Sequence, residues 1–307
     1  MSKKAKQELS GSEKFDAYYS EIYGSRWPAL KAAMLEESKP VSLGDYLASG
    51  ELCSCNSGSQ GGSLGDSQVG SQDCSQGGEA ILSEPYYMDK ASIWAASILP
   101  ITANNKVLDM CAAPGGKTLV LASKLSGKGK LISNDRSAQR RTRLSKVINT
   151  CLPEPLRQNI TITGHDSTTW SLYEKDVYDC VLLDAPCSSE RHVLSDPSAL
   201  DIWSPSRPKH LAIQQFAMLC AALDAAVSGG YILYSTCSIN PIENELVIEK
   251  LFKKRCGLFE EVSISSVAPF VASKSEERSH GRIVLPDVAS SCGPLYFCLL
   301  KKLGVSE

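Results

Sequence analysis

The sequence predicts an α/β fold: a mostly parallel sheet with helices on both faces, preceded by a short helical cap and closed by an antiparallel hairpin. Three observations carry this expectation. Between 106 and 264, short apolar runs alternate with segments of helical period, as in parallel strands joined by crossover helices. The run from Val107 to Thr118, VLDMCAAPGGKT, reads as a buried strand, a tight turn and a helix start. Such a turn brings backbone N–H groups, and glycines that permit close approach, to the carboxyl edge of a sheet. Finally, the apolar runs at 282–286 and 294–300 flank a short polar stretch, which predicts the closing hairpin.

Each element follows from local pattern. Residues 1–47 place Phe15, Tyr18, Tyr19, Ile22, Tyr23, Leu30, Ala33 and Met34 at helical spacing, with Pro28 suited to the first turn of a second helix. These aromatics are expected to bury against a main domain over 81–307. Residues 48–80 are Ser, Gly, Gln and Asp with almost no hydrophobes, so burial cannot offset ordering entropy and a flexible linker is expected. The stretch 85–100 resumes a helical pattern through Tyr87, Ala91, Trp94, Ala95 and Ile98. Strands are then predicted at 106–110, 130–134, 159–163, 178–184, 229–235 and 258–264, and helices at 116–126, 137–150, 209–227 and 240–254.

Composition narrows the class. The 307 residues, 43% hydrophobic, suffice for one large domain with an extension, and no apolar run approaches a membrane span. The first residues have neither a secretory apolar core nor an Arg-rich presequence pattern. A bacterial cytoplasmic protein, or a mature form in the mitochondrial matrix, is therefore expected, working as a monomer. Twelve cysteines are too sparse for a disulfide scaffold, and Cys53, Cys55 and Cys74 lack zinc-site spacing, so no metal is expected. A net charge of −2 means that any nucleic-acid contact must use a local patch. Arg136, Arg140, Arg141, Arg143 and Lys146 fall in one predicted helix, with positions 136, 140 and 143 on one face, and are the phosphate-binding candidates.

Motif spacing selects the ligand. A phosphate-binding P-loop would need glycine where Cys111 stands, and the dinucleotide pattern GxGxxG is absent. S-adenosylmethionine, which has no phosphate, is the remaining common ligand of this strand–turn–helix. Acids at successive strand ends agree: Asp135 where a ribose would be held, Asp166 where an adenine amino group could donate, and Asp184 after the fourth strand. Asp109, inside the first strand, is expected to tie up loop backbone. Two cysteines share the same edge, Cys187 after Asp184-Ala-Pro and Cys237 after Tyr234-Ser-Thr. A thiol there is useful as a nucleophile only if its pKa is lowered.

These motifs together resemble one family. CAAPGGKT at 111–118, DAPCS at 184–188, and YSTCS at 234–238 followed by Glu243-Asn-Glu are similar, in order, to those of the Nop/Sun (RsmB/NOP-type) RNA cytosine-5 methyltransferases. The likeness runs over 83–301. Finer features, among them Phe15-Asp-Ala-Tyr-Tyr, Trp27-Pro28, SSERH at 188–192 and GPLYFC at 293–298, resemble the branch with mitochondrial small-subunit ribosomal RNA enzymes; the transfer RNA branch is the nearest competitor. The resemblance implies a Rossmann-like S-adenosylmethionine-dependent methyltransferase fold. It implies that Cys111, Gly115, Gly116, Lys117, Asp135, Arg140, Asp166, Ser167 and Asp184 bind the cofactor. It further implies that Cys237 attacks cytosine C6, that Cys187 assists release, and that Asp184 lies between cofactor and base. Many bacterial relatives carry a separate RNA-binding domain ahead of the catalytic one. With only a short cap here, an accessory RNA-binding protein or partly assembled ribosomal RNA is expected to help placement. A non-catalytic RNA assembly factor on the same fold and a P-loop NTPase are the alternatives. Both thiols with a full cofactor set weigh against the first, and Cys111 against the second.

Overall fold

The structure, a computed structural model, describes residues 10–50, 82–125 and 128–304. Residues 1–9 and most of the linker expected over 48–80 lie outside them. Three helices come first: α1 (Gly11–Tyr23), α2 (Trp27–Leu35) and α3 (Leu43–Ala48). A capping box starts α1, with Ser10 accepting from Glu13 N–H and the Glu13 carboxylate accepting from Ser10 N–H at 2.8 Å. Pro28 stands in the first turn of α2 as expected. The short strands β1 (Val41–Ser42) and β2 (Tyr87–Met88) then pair antiparallel. Tyr87 is thereby outside the helix predicted for 85–100, which is α4 (Lys90–Ile98), and its side chain is exposed. Asp89 makes the difference: it caps α4 by accepting from Ala91 N–H, so the helix cannot begin earlier.

The alternation that follows is β3 (Lys106–Asp109), α5 (Gly116–Ser123), β4 (Lys130–Asn134), α6 (Ala138–Cys151), α7 (Glu154–Arg157), β5 (Ile160–Thr163) and β6 (Tyr178–Asp184). Next come α8 (Glu190–Ser195), α9 (Pro197–Asp201), α10 (Ser206–Ala225), β7 (Ala226–Thr236) and α11 (Glu245–Lys254). The chain ends with β8 (Phe259–Glu261), α12 (Ile264–Val267), α13 (Pro269–Ser273), β9 (Glu276–Glu277), β10 (Arg282–Val284) and β11 (Leu295–Lys302). The sheet order is β5-β4-β3-β6-β7-β11-β10-β9, with β8 also paired to β11. From β5 to β7 all neighbours are parallel; β11 enters antiparallel to β7, and β10 returns antiparallel to β11, so the predicted hairpin is present.

Strand period divides the core into two layers. Val107, Leu131, Cys180, Leu182, Leu233 and Leu299 face one side, against α4, α5 and α6. Leu108, Met110, Val181, Leu183, Ile232, Tyr234 and Leu300 face the other, against α1, α2, α10 and α11. Both faces are covered, which is why β6 reads as an almost continuous apolar run rather than an alternating one.

Several boundaries moved from their predicted places: α10 begins at Ser206 instead of 209, β8 ends at Glu261 instead of 264, and α5 ends at Ser123 instead of 126. Two further shifts have a clear local cause. Strand β7 starts at Ala226 instead of 229, because a bulge lies where the pairing passes from Tyr178↔Ala226 to Cys180↔Tyr231, with Gly229 at φ +81°. Helix α11 starts at Glu245 instead of 240. The intervening residues turn on their own side chains: Asn240 Oδ1 accepts from Ile242 N–H at 3.1 Å, and Asn244 Nδ2 donates to Ser238 O at 2.9 Å.

Helix α1 belongs to the second layer. Phe15 and Tyr19 are fully buried, and the Phe15 ring meets Trp203 edge-on at 5.0 Å. Arg26 fastens the start of α2 to the far end of the chain through Glu276 and Asp287. Phe15→Ala should lower stability by about 3–5 kcal/mol, the usual result of emptying a buried aromatic site. Denaturant unfolding should remain one transition; a separate early transition with the main midpoint unmoved would show α1 to be an independent unit.

Candidate active site

The carboxyl ends of β3, β4, β5, β6 and β7 lie along one edge, and three adjoining cavities open there. The largest, 610 Å³, is walled by Cys111, Asp135, Arg136, Arg140, Asp166, Ser167, Thr168, Pro186 and Met218, among others. A smaller one of 150 Å³ lies over the turn, between Tyr86, Met88, Asp109, Cys111, Gly116, Lys117 and Asp184. The third, 510 Å³, is lined by Asp89, Ser92, Lys117, Asp184, Arg191, His192, Cys237 and Pro294. Cys111 joins the first cavity to the second, and Lys117 with Asp184 joins the second to the third.

On the first cavity, Asp135 is almost fully buried, with Oδ1 accepting from Ser137 N–H at 2.9 Å. Its Oδ2 accepts no hydrogen bond, and Arg140 Nη1 lies 3.4 Å away. An unsatisfied buried acceptor at a cavity wall fits vicinal hydroxyls of a ribose, so the adenosyl group of S-adenosylmethionine suits this site. Asp166 caps the 3-10 turn Ser167–Leu172 by accepting from Thr168 Oγ1 at 2.8 Å and from Thr168 N–H at 3.0 Å, and these bonds, the hydroxyl's first, hold its carboxyl below the usual range. Ser167 Oγ is already committed to Met110 O at 2.7 Å. Gly115 lines none of these cavities. At φ +124° it closes the turn, and a Cβ there would come within 3.0 Å of Val147.

The turn is also braced from within. Asp109 Oδ2 accepts from Thr118 Oγ1 of α5 at 2.8 Å, and backbone hydrogen bonding from Cys111 in the loop, as expected of this residue, also favours its charged form. Burial pushes the Asp109 carboxyl up to about 7. Lys117 Nζ donates to Asp184 Oδ2 at 2.7 Å, and Ser235 Oγ donates to Asp184 Oδ1 at 2.8 Å. Burial works against the Lys117 charge, but the Asp184 carboxylate outweighs it and the ammonium stays charged.

Of the two thiols, Cys237 lines the third cavity and Cys187 stands directly behind it. Cys187 Sγ and Cys237 Sγ are 3.0 Å apart, and Ser189 Oγ lies 3.2 Å from Cys237 Sγ but 3.6 Å from Cys187 Sγ. Cys237 is exposed while Cys187 is half-buried. The pair is asymmetric: hydrogen bonding from Cys187, and then from Ser189, lowers the Cys237 thiol below its ordinary value, while its hydrogen bond to Cys237 and its burial hold Cys187 well above.

Beneath the thiols lies a polar cluster that sequence reasoning left without a role. Glu190 and Glu243 are both fully buried. They are linked through Ser188 and Ser238, and Tyr19 O–H from α1 donates to Glu190 Oε1 at 2.6 Å. Asn134 was missed as well. Its side chain donates to Met110 O, His165 O and Ser167 Oγ, and its Oδ1 accepts from His165 N–H at 2.8 Å, tying the loops after β3 and β5 to the end of β4. An Asn just before the ribose-position acid was the available signal.

Residues 96–298 match the family model described as 16S rRNA methyltransferase RsmB/F. The chain belongs to this family. Among curated relatives, the mouse (Mus musculus) protein named 5-cytosine rRNA methyltransferase NSUN4 is 29% identical, covering 95% of this chain and 88% of that one. The Danio rerio protein named tRNA (cytosine(34)-C(5))-methyltransferase, mitochondrial, is 34% identical over 68% of this chain and 59% of its own length. A crystallised methyltransferase homologue from Pyrococcus horikoshii superposes with a TM-score of 0.66 at 21% identity, covering 95% of both chains, and shares the fold. The fold is therefore that of the methyltransferases, as the motifs implied.

In this RsmB/F family member, the basic helix α6 is only partly free. Arg140 donates to Ala113 O, Arg141 Nη1 to Asp135 O and Arg136 O, and Arg136 lies 3.3 Å from Asp166. Arg136 precedes the Ser137 cap of α6, so it does not share the helical face expected with Arg140 and Arg143. Three of the five cations engage the nucleoside-side loops, and among the described residues no ion pair engages Arg143 or Lys146. No group of side chains suited to a metal ion occurs among the described residues, and none of their helices is long and apolar enough to cross a membrane.

The Asp109 carboxyl gives a test by linkage. Its folded pKa is raised from 3.8 to about 7, so between those values the folded state holds a proton that the unfolded state releases, and stability falls as pH rises. Asp109→Asn should remove this slope. Relative to wild type, the variant should gain about 2–3 kcal/mol between pH ~5 and pH ~8 in urea unfolding. Parallel pH curves would show Asp109 to be ionised in the fold.

Proposed function

We propose that this protein transfers a methyl group to C5 of a cytidine in small-subunit ribosomal RNA, with Cys237 as nucleophile and Cys187 as the assisting thiol. The observation that carries the reading is the asymmetric thiol pair, 3.0 Å apart, with Cys237 and Asp184 both on the wall of the cavity that would receive a base. S-adenosylmethionine, when bound, supplies an electrophilic methyl group. Asp135 Oδ2 would accept from the ribose hydroxyls, the Asp166–Thr168 turn would border the adenine, and Gly116 would allow the chain to lie close beside the methionine portion.

The protein's own groups supply the rest. C5 of cytosine is a weak nucleophile. Addition of Cys237 Sγ at C6 moves the ring electrons so that C5 becomes enamine-like and reactive toward the methyl group. Lys117 holds the Asp184 carboxylate in place, and Asp184 accepts from the cytosine edge. After transfer, water entering through the open third cavity would take the C5 proton, the C5–H electron pair would reform the C5=C6 bond, and the C6–Sγ bond would break; the Cys187 S–H, 3.0 Å away, is placed to protonate the departing Cys237 thiolate. The base must leave its stack to reach Cys237, at a cost of roughly a few kcal/mol. A transfer RNA cytidine is the second reading, favoured by the 34% identity to the Danio rerio enzyme. Bisulfite mapping of total RNA with and without the gene separates them: loss of a single ribosomal position is expected, and loss confined to transfer RNA would replace the first reading with the second.

The thiol assignment predicts opposite behaviour of two variants. Cys237→Ala should abolish turnover by at least ~10³-fold and form no covalent adduct. Cys187→Ala should attack and methylate yet stall, leaving protein linked to RNA through denaturing electrophoresis. Adducts from Cys237→Ala alone would reverse the roles, and full activity in both would remove the covalent mechanism. On the cofactor side, Asp135→Ala should weaken S-adenosylmethionine at least tenfold by calorimetry, since hydrogen bonds to a charged acceptor contribute about 1.5–3 kcal/mol each. Unchanged affinity would place the ribose elsewhere.

A further inference from the structure

Glu190 and Glu243 are the only fully buried glutamates among the described residues, and each stands in a cysteine loop. Glu190 follows Cys187 by three positions and opens α8; Glu243 follows Cys237 by six and precedes α11. Their hydrogen-bond partners are hydroxyls, an amide and backbone N–H groups, with no cation among them. Two bare carboxylates in that setting would be costly, and such groups usually take up a proton.

Counting protons locates it. Glu190 Oε1 faces Tyr19 O–H at 2.6 Å, Ser188 Oγ, and Ser238 Oγ at 3.0 Å, while Oε2 accepts from Ile239 N–H at 3.1 Å. Glu243 Oε2 accepts from Ser188 N–H and Gln215 Nε2, both at 2.9 Å. Glu243 Oε1 faces only Ser188 Oγ and Ser238 Oγ, the same two hydroxyls that face Glu190. Two hydroxyls carry two protons for four contacts with carboxyl oxygens. If both point to Glu190, which is then an anion with four donors, Glu243 Oε1 must itself be a donor.

We propose that Glu243 stands as a neutral carboxylic acid whose Oε1 proton is donated to Ser188 Oγ, and that with anionic Glu190 it forms a clasp setting the separation of Cys187 and Cys237. Both glutamates are positioning residues; the proposal rests on the reading of these thiols as the reacting pair. Ser188 adjoins Cys187 and Ser238 adjoins Cys237, so the clasp joins the two loops one residue from each sulfur. Helix α1 contributes from outside, since Tyr23 O–H also donates to Ile239 O at 2.7 Å. Burial, and next the Glu190 charge, push Glu243 up to about 7, in accord with a retained proton. The other titratable groups facing the pair are Tyr19 and Tyr23 from α1, Tyr234 from β7, Cys187 and Cys237. The tyrosines and Cys187 are shifted upward and stay neutral where Glu243 titrates, while Cys237 is shifted down. Arg26, Arg278 and Glu245 act on Tyr23, further out.

The test observes the proton directly. Protein carrying glutamate labelled with carbon-13 at the side-chain carboxyl is titrated by NMR from about pH 5 to about pH 9, without RNA. One glutamate carboxyl should remain neutral at about pH 6, and its signal should be missing in Glu243→Gln. Asp109 carries no label and cannot imitate it. Ionisation of every glutamate below about pH 5 would overturn the clasp, and wild-type protein alone decides this if the variant does not fold. In turnover, Glu243→Ala should lower kcat about 100-fold with little change in KM for RNA, as misplacement of a reacting group does. Glu243→Gln, whose amide N–H replaces the acid proton, should recover most of that loss. Folded Glu243→Gln as slow as Glu243→Ala would overturn the proposal. Because the titration uses no RNA, absence of methylation in every protein would instead overturn the functional reading and leave the carboxyl signal standing.

Discussion

The parallel pairing of β6 with β7, in the register that sets Asp184 opposite Ser235, is the constraint on which the site depends. Ser235 Oγ donates to Asp184 Oδ1 at 2.8 Å across that register, and the chain leaves both strands within three residues. The loops that follow therefore run side by side, and Cys187 and Cys237, fifty positions apart in sequence, come to 3.0 Å. A slip of one residue would turn Asp184 to the opposite face and carry Cys237 with it. The alternating core contacts of Val181, Leu182, Leu183, Ile232, Leu233 and Tyr234, buried on both sides of the sheet, forbid such a slip.

Charge is distributed along this edge so that each buried group has one purpose. Asp184 has Lys117 as its counter-ion, whereas the Glu190–Glu243 pair has hydroxyls and a retained proton. Cys237 is lowered by hydrogen bonds donated to it, and its neighbour Cys187 is raised by the same contact. Had Glu243 been ionised, a second negative charge would oppose thiolate formation a few residues away. The cluster thus links the chemistry of the sulfurs to the packing of α1, whose Tyr19 and Tyr23 reach both cysteine loops. The N-terminal helix is part of the support of the active site as well as of the core.

The nucleoside side follows a different logic. There the carboxylates accept from nearby backbone, Asp135 from Ser137 N–H and Asp166 from Thr168 N–H, while Asn134 and the arginines of α6 tie the surrounding loops to one another. Arginines that looked available for phosphate are bound to carbonyls of these loops, so α6 acts chiefly as a brace. The contrast is physical. A cofactor needs a fixed rim, which side chains bonded to loop backbone supply here, while a reacting thiol needs a tuned neighbour, which a second side chain supplies.

The sequence by itself determined the fold class, the strand that ends in CAAPGGKT, the acids at successive strand ends and the two cysteines, because these rest on local period and short spacing. Asp135, Asp184, Cys187 and Cys237 could be named before any coordinates. The start of α11 and the exit of Tyr87 from α4 were not legible, since both are decided by side-chain caps at Asn240, Asn244 and Asp89. The duty of Gly115, the engagement of Arg140 and Arg141, and the partner of Asp109 required the packing of α5 and α6 against the sheet. Glu190 and Glu243 stand beside their motifs in the sequence, yet nothing local brings them together. Their shared serines, their isolation from cations and the asymmetry of the thiols above them are long-range facts, created when β6 and β7 pair and α1 closes over the loops.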